Sequence, residues 1–351
     1  TLAPMLSRCH KVFLDIPGTV SLSVLNHSPE QLANIESLTV QGSAPSSSDP
    51  ETTILDLDLS RAHLIRHLSI CLLNPRMADI WPSTIRPRLA DPSRLRSLTL
   101  SGSVDCLVAY EIISRATSLR SLVWTSEHHY LESTVPSNQI PMRSLEHLIL
   151  SAIPPVLILP HLDAPKLLSL TLWPGTPAWD QRPKPFPNPS QALHLRCLVL
   201  DSTSALSPMV PPVFPEFRAL EVLELRCEMS VKLAVACAKA PKLRLVVLIW
   251  IPLFPSTWDG PLKLLESWSG SVESGEIMPL SRGVCFVYSQ VPLDTEQLAF
   301  RDHFVMKFPS IKIGLRQSFL FSASEPDDWN NLFARFDRDP SYLPPFSSSN
   351  A

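Results

Sequence analysis

The chain has 351 residues, of which 45% are hydrophobic and 18% are charged, with a formal net charge of −3 at pH 7. This composition is typical of a protein with a large buried core and excludes an intrinsically disordered chain. The slight acidity argues against general nucleic-acid binding, which requires a basic stripe. The longest apolar run, residues 246–254, contains Pro252 and is too short to cross a bilayer.

The first 30 residues are interpreted as a lead-in or as a degenerate repeat that caps the array. Val12 to Ile16 alternates like a strand, and Ser28 before Pro29 predicts a short helix. Residues 54–59 also alternate, but they lie so close to a strand pattern beginning at Leu64 that the two compete for register. We favour the Leu64 pattern.

From residue 31 to residue 250, one short pattern of the form L-x-x-L-x-L recurs nine times, clearest at residues 195–200. The central apolar residues are 22 to 30 residues apart, and they are Leu38, Leu68, Leu98, Leu122, Leu148, Leu170, Leu198, Leu223 and Val246. Leucine-rich repeats have lengths of about 20–29 residues. The spacing therefore predicts a leucine-rich-repeat array over residues 31–250.

The fold class that follows is a curved α/β solenoid. In L-x-x-L-x-L, the fourth and sixth residues point to the same side of a strand, and stacked copies bury that side jointly. We expect a single parallel sheet of about eight to ten strands on the concave side. The convex side should be mixed, with helices at residues 104–116 and 230–240 and extended, proline-rich connections between them, because 36 residues are proline.

After residue 250 the pattern decays, as terminal repeats often do. Residues 251–338 are interpreted as atypical C-terminal repeats or a cap, with strands near Val284–Tyr288 and Ile311–Leu315. Residues 339–351 are interpreted as a disordered tail.

The seven cysteines are odd in number, and no two form a C-x-x-C pair. We interpret them as reduced, mostly buried thiols of an intracellular protein, either cytoplasmic or nuclear. No signal peptide precedes them, and the chain begins at Thr1 rather than Met, which is expected of a fragment or of a gene model that lacks its first exon.

No pattern typical of a catalytic, metal or cofactor site is present, so we predict a non-enzyme without a cofactor. His128 with His129, and Asp56 with Asp58, are interpreted as solvated residues. Residues 181–189 (QRPKPFPNP) are either a stiff loop or a polyproline ligand motif. A small-ligand or enzymatic site in the irregular C-terminal third remains the alternative.

Several phrases resemble fungal, mushroom-type F-box proteins whose F-box is followed by irregular leucine-rich repeats. They are residues 21–31 (SLSVLNHSPEQ) and the a-P-k-L forms at residues 164–170 and 240–243. An aromatic residue often follows the His-Ser phrase in that family, whereas this chain has Gln31-Leu32. The resemblance covers roughly residues 1–315.

Membership would imply that the repeats recruit a protein substrate for ubiquitination while the F-box binds the Skp adaptor of a cullin ligase. The F-box would lie upstream of Thr1, so Skp binding is expected only if an F-box is encoded there. No nucleic acid or membrane partner is expected.

The partner surface is predicted on the strand residues that point away from the core. In early copies these residues are small and neutral: Ser97, Thr99, Ser101, Ser121, Val123 and Thr125. From the fifth copy onward they change in character, and the predicted partner-binding residues are His147, Trp173, Asp201, Glu224 and Arg226. Tryptophan and arginine are enriched at interface hot spots. The alternative is that Trp173 folds under the proline-rich loop and that Glu224 and Arg226 form an idle surface pair.

Overall fold

The computed structural model describes residues 6–15, 25–26, 29–43, 46–47, 54–73, 81–82, 84–102, 104–126, 139–151, 158, 161–173, 193–200, 217–225, 240, 242–249, 266, 269–270, 272–275, 283–288, 302, 306–308 and 313–317. The chain divides into two compact units, Thr1–Leu167 and Leu168–Ala351. The division falls inside the predicted array of residues 31–250.

The described residues form one α-helix, α1 (Cys106–Arg115), and 3₁₀ turns at Pro29–Leu32 and Pro92–Arg94. Their strands are β1 (Lys11–Asp15), β2 (Ser37–Ser43), β3 (Ser46–Ser47), β4 (Ile54–Leu59), β5 (His67–Leu73), β6 (Trp81–Pro82), β7 (Thr84–Leu89), β8 (Ser97–Gly102), β9 (Ser121–Ser126), β10 (Ile140–Pro141), β11 (His147–Ser151), β12 (Leu162–Asp163), β13 (Ser169–Trp173), β14 (Cys197–Leu200), β15 (Val222–Leu225), β16 (Leu245–Ile249), β17 (Gly283–Tyr288) and β18 (Ile313–Gln317).

Each unit is a solenoid of parallel strands. In the first unit the order is β1-β2-β5-β8-β9-β11, and in the second it is β13-β14-β15-β16-β17-β18. The pairing is in register with the repeats, so that Leu98 lies beside Leu68 and Leu122, and Leu198 lies beside Leu170 and Leu223. The predicted solenoid is therefore confirmed.

The repeats also extend beyond the nine copies. Strand β1 pairs with β2 so that Val12 lies beside Leu38, which makes the lead-in a further rung of the first unit. At the other end, β17 and β18 continue the second unit close to where the sequence predicted strands.

The repeating leucines form the core because each one is buried against its counterparts on neighbouring strands. All nine central apolar residues are essentially inaccessible to solvent. In seven of the repeats, a buried residue lies three positions before the residue that leads the strand pattern, and its carbonyl accepts the backbone N–H of that leading residue. Ala164 with Leu167 (3.1 Å) and Ala240 with Leu243 (3.1 Å) are examples. This tight turn explains the recurrent a-P-k-L phrase.

One repeat differs from the prediction at its first position. Ile65, not Leu64, occupies the leading core position before Leu68 and Ile70, since Ile65 is 2% exposed and Leu64 is 36% exposed. Counting from Ile65 restores the L-x-x-L-x-L spacing. The prediction of Leu64 was wrong because both residues are apolar and only the burial distinguishes them.

The predicted competition between residues 54–59 and the next copy was also wrong, because both segments form strands in different sheets. Strand β4 pairs in parallel with β7, whereas β5 belongs to the main sheet. Two further small pairs in the first unit are β3 with β6, antiparallel, and β10 with β12, parallel.

Helix α1 confirms the helical connection predicted at residues 104–116. Its N-terminus is capped by the Asp105 carboxylate, which accepts the backbone N–H groups of Leu107 (2.9 Å) and Val108 (3.2 Å). Gly102 at the end of β8 has φ +91°, a conformation that favours glycine, and it turns the chain toward this cap. Tyr110 of α1 packs edge-on against Trp124 of β9, with ring centroids 5.1 Å apart.

Several predicted features lie outside the described residues. They are the helix at residues 230–240, the histidines at residues 128–129, the polyproline segment at residues 181–189 and the tail at residues 339–351. Of the predicted solvated carboxylates, Asp56 is exposed and Asp58 is half-buried. A hydrogen bond from Ser60 holds the pKa of Asp58 below its usual range.

Candidate functional site

The five predicted partner-binding residues fall in different parts of the chain. His147 begins β11 in the first unit, while Trp173 ends β13 and Glu224 lies within β15 in the second unit. The side chain of Trp173 lies outside the described residues, as do Asp201 and Arg226 altogether. Binding by these residues therefore stays a prediction.

His147 is half-buried beside Ser121 of β9, and its Nδ1 has no hydrogen-bond partner among the described residues. Burial lowers the pKa of His147, because the charged imidazolium is poorly solvated there, and the neighbouring Glu146 opposes this effect only in part. The neutral form of this imidazole is therefore favoured more than in an exposed histidine.

The sheet face away from the core, here called the outer face, is less exposed than predicted. Three of its residues in the first unit are buried, namely Thr99 (3% exposed), Ser121 and Val123. Ser97, Ser101 and Thr125 are half-buried, and Thr125 donates a hydrogen bond to Ser101 (2.7 Å). Parallel sheets are usually covered on both faces, and apolar runs such as residues 148–150 are typical of such strands. The expectation of a solvent-facing row was wrong for these three residues.

Solvent reaches the outer face of the first unit at its first strands. Phe13 of β1 is 63% exposed, and Lys11, Asp15, Gln41 and His67 are also exposed. Phe13 is therefore an exposed apolar side chain among polar neighbours, which a partner protein would bury on binding.

A second surface lies where the strands begin. In most repeats, the residue immediately before a strand contributes a carbonyl that accepts two backbone N–H groups from the following repeat. For example, Arg66 O accepts from Arg96 N (2.7 Å) and Ser97 N (3.1 Å), and Arg96 O accepts from Arg120 N (2.8 Å) and Ser121 N (3.1 Å). We call these residues the strand-start row. In the first unit its members are His10, Glu36, Arg66, Arg96, Arg120 and Glu146.

Three consecutive members of this row are arginines. Arg66, Arg96 and Arg120, here called the arginine ladder, precede the neighbouring strands β5, β8 and β9, and all three side chains are exposed. None of the three guanidinium groups forms an ion pair or a hydrogen bond with the residues that the structure describes. At the N-terminal end of the row, by contrast, Glu36 Oε1 lies 3.8 Å from His10 Nδ1.

The strand-start row of the second unit has a different charge pattern. Its members are Leu168, Arg196, Glu221 and Arg244. Arg196 donates to both carboxylate oxygens of Glu221, from Nε over 2.8 Å and from a terminal nitrogen over 3.1 Å. Arg244 contacts Glu221 from the other side. Glu221 therefore forms an ion pair with both of its neighbours, and its side chain is only 15% exposed.

A cleft of about 410 Å³ in the first unit lies between α1 and the β4–β7 pair. Its charged groups are already paired, since Arg86 Nε contacts Asp105 (2.7 Å) and Arg88 contacts Asp56 (3.0 Å). The Asp105 carboxylate also caps α1. The Arg86–Asp105 pair links the β4–β7 sheet to the N-terminus of α1, and the Arg88–Asp56 pair links the two strands of that sheet.

Cys71, Cys106 and Cys197 are free thiols, in agreement with the prediction for these three residues. Of these three cysteines, only Cys197 is fully buried, and burial raises its pKa to about 12.

No group of three or more His, Cys, Asp or Glu side chains within the described ranges is placed to hold a metal ion. No helix in the described part of the chain is long and apolar enough to span a bilayer.

Sequence inspection overlooked the arginine ladder, although the signal is readable. The second residue of L-x-x-L-x-L is arginine in three successive copies, and in-register stacking places these residues side by side.

The chain matches no protein-family model, no curated protein and no solved structure.

Proposed function

We propose that this chain is a non-catalytic protein-recognition module of the leucine-rich-repeat type, similar in role to the substrate-receptor repeats of an F-box protein in a cullin ubiquitin ligase. The observation that carries the proposal is the strand-start row. It repeats one surface position on successive strands, and backbone hydrogen bonds between neighbouring repeats fix its register.

Such a row suits an extended partner. Neighbouring strands in a sheet are about 4.8 Å apart, so a partner chain lying across them meets a new side chain at each step. Solenoids use surfaces of this kind for binding. The exposed outer face around Phe13 and Gln41 adds an apolar and polar patch in the same unit.

Other features support an intracellular receptor rather than an enzyme. Cys71, Cys106 and Cys197 are free thiols, which suits a reducing compartment. The acids of the cleft beside α1 are occupied by arginines. Skp binding and membership of a cullin ligase require an F-box encoded upstream of Thr1, and sequencing the transcript would test that part separately.

The test is proximity labelling in cells with this chain fused to a promiscuous biotin ligase. The variant carries Phe13→Arg and Gln41→Arg, which place two charges on the exposed outer face. The control is Thr117→Arg, an exposed position in the turn after α1. We expect a reproducible set of labelled proteins that the double variant loses and the control keeps, with all three melting temperatures alike. A labelled set that does not differ between the double variant and the original chain would contradict the proposal.

A further inference from the structure

We propose that the arginine ladder binds an extended, acidic peptide segment of a partner protein, an inference that rests on the proposed recognition function and specifies its ligand. Arg66, Arg96 and Arg120 place three exposed guanidinium groups on adjacent strands, without a carboxylate between them.

The dimensions of the ladder fit a short stretch of extended chain. Two strand-to-strand steps span about 10 Å, and acidic side chains on one face of an extended peptide recur every two residues, about 6.7 Å apart. Two carboxylates separated by one residue can therefore each lie between two neighbouring arginines. The long arginine side chains absorb the difference of about 2 Å between the two spacings.

The guanidinium group favours carboxylate as the ligand. It presents planar, paired N–H donors that match the two oxygens of a carboxylate, and such charge-assisted pairs are among the stronger hydrogen bonds. The second unit shows this geometry within the same row, where Arg196 donates to both oxygens of Glu221. An acidic partner would supply to the first unit the negative charge that Glu221 supplies to the second.

The ladder also has an electrostatic cost in the free protein. Like charges on directly adjacent strands repel each other and destabilise a sheet. The backbone ladder does not require arginine, because Glu36 and Leu168 occupy the same position with the same two hydrogen bonds. Three adjacent arginines are thus unfavourable for folding and favourable for binding an anion.

A peptide fits this surface better than a nucleic acid does. The ladder covers only three rungs and is bounded by Glu36 and Glu146, which would repel a phosphate backbone that continued past either end. The whole chain carries a net charge of −3. Nucleic-acid binding usually requires a longer basic stripe.

The experiment measures fluorescence anisotropy of a labelled peptide with glutamate at alternate positions, titrated with the full chain. The same peptide with glutamine in place of glutamate and a single-stranded oligothymidine of equal charge are the comparison ligands. The protein variants are Arg96→Glu, Arg66→Gln with Arg120→Gln, and the control Lys242→Glu. Lys242 is an exposed residue of the second unit, and its variant changes the net charge as much as Arg96→Glu does.

We expect the glutamate peptide to bind, its affinity to fall with added salt, and Arg96→Glu to weaken it at least about tenfold. The double glutamine variant should also weaken binding, while Lys242→Glu should bind nearly as well as the original chain. The glutamine peptide should not bind. No binding by the original chain, an equal loss in Lys242→Glu, or tighter binding of the oligothymidine would overturn the proposal.

A second measurement separates binding from structure. Arg96→Glu gives the first unit the alternation Arg, Glu, Arg that the second unit has, so its melting temperature should stay the same or rise while peptide binding is lost. A lower melting temperature together with weaker binding would mean that Arg96 has a structural role. Because the peptide assay needs no natural partner, it can fail while the labelling experiment still succeeds.

Discussion

In the first unit, Arg66, Arg96 and Arg120 precede neighbouring strands without an acid between them, whereas in the second unit Glu221 lies between Arg196 and Arg244. The same backbone pattern occurs in both, since the carbonyls of Arg66 and Arg196 each accept two N–H groups of the following repeat. The difference shows that the fold fixes where these side chains lie but does not fix whether they are basic or acidic. The charge pattern is therefore where the two units can differ in function.

The first residue of a strand also differs between the units. His147, the first residue of β11 in the first unit, is half-buried, and Cys197, the first residue of β14 in the second unit, is fully buried. Burial lowers the pKa of the histidine and raises that of the thiol, since in each case the neutral form is favoured. The two units should thus respond to opposite ends of the pH range.

The largest expected effect tests whether both units depend on their buried core residues. Ile65→Ala in the first unit and Leu198→Ala in the second should each lower the free energy of unfolding by about 2–5 kcal/mol, because each removes a buried side chain. Leu64→Ala is the matched control, since Leu64 is adjacent and partly exposed, and its effect should be within about 1 kcal/mol. Urea denaturation measures all three, and a larger loss for Leu64→Ala than for Ile65→Ala would contradict the assigned register.

A smaller effect should come from removing the acid that distinguishes the second unit. Glu221→Gln removes the carboxylate that pairs with both Arg196 and Arg244, and we expect a loss of about 1–2 kcal/mol, reduced by the partial exposure of both arginines. Arg96→Gln in the first unit is the control, because Arg96 has no acid to lose, and its stability should not fall. Equal losses in the two variants, measured by urea denaturation, would show that the units do not differ in this way.

The effect of pH is expected to be the smallest of these. The ordinary pKa of histidine is 6.5, and that of His147 is lower in the folded chain. Between the two values the unfolded chain binds more protons, so the free energy of unfolding should fall as the pH drops below 6.5. His147→Gln should reduce the loss between pH 7.5 and pH 5.5, compared by urea denaturation, while His63→Gln, at an exposed position, should not. An identical pH response in the original chain and His147→Gln would contradict the burial effect.

For Cys197 in the second unit, the expected change of stability with pH has the opposite sign. Its pKa is raised from 9.0 to about 12, so the unfolded chain loses the thiol proton first and stability should fall as the pH rises above 9. The contrast with His147 could not be read from the residue types alone, because neither burial is visible in the repeat pattern.

Much of the fold was predictable from spacing. The recurrence of L-x-x-L-x-L gave the parallel strands and their register, since apolar residues must stack for any one repeat to bury its core. Helix α1 was predictable as well, because its apolar spacing contains no proline. Leu64 was misassigned in place of Ile65, because two adjacent apolar residues give the same pattern until burial is known.

The candidate site was harder to predict. Alternation shows which side chains leave the core, but it does not show whether solvent reaches them, and Thr99 and Val123 are buried. The arginine ladder was hidden for a related reason. Arg66, Arg96 and Arg120 are far apart in the sequence, and they become a surface only when three strands align.

The sequence by itself determined the solenoid, its repeats and the buried leucines, because hydrophobic periodicity is a local pattern that stacking must satisfy. Only the tertiary structure decided which residue leads each repeat, which outward side chains are covered and which charges become neighbours. Those outcomes depend on distances between residues more than 20 positions apart in the chain. Burial and charge pairing act through space, so they are fixed only once the strands lie side by side.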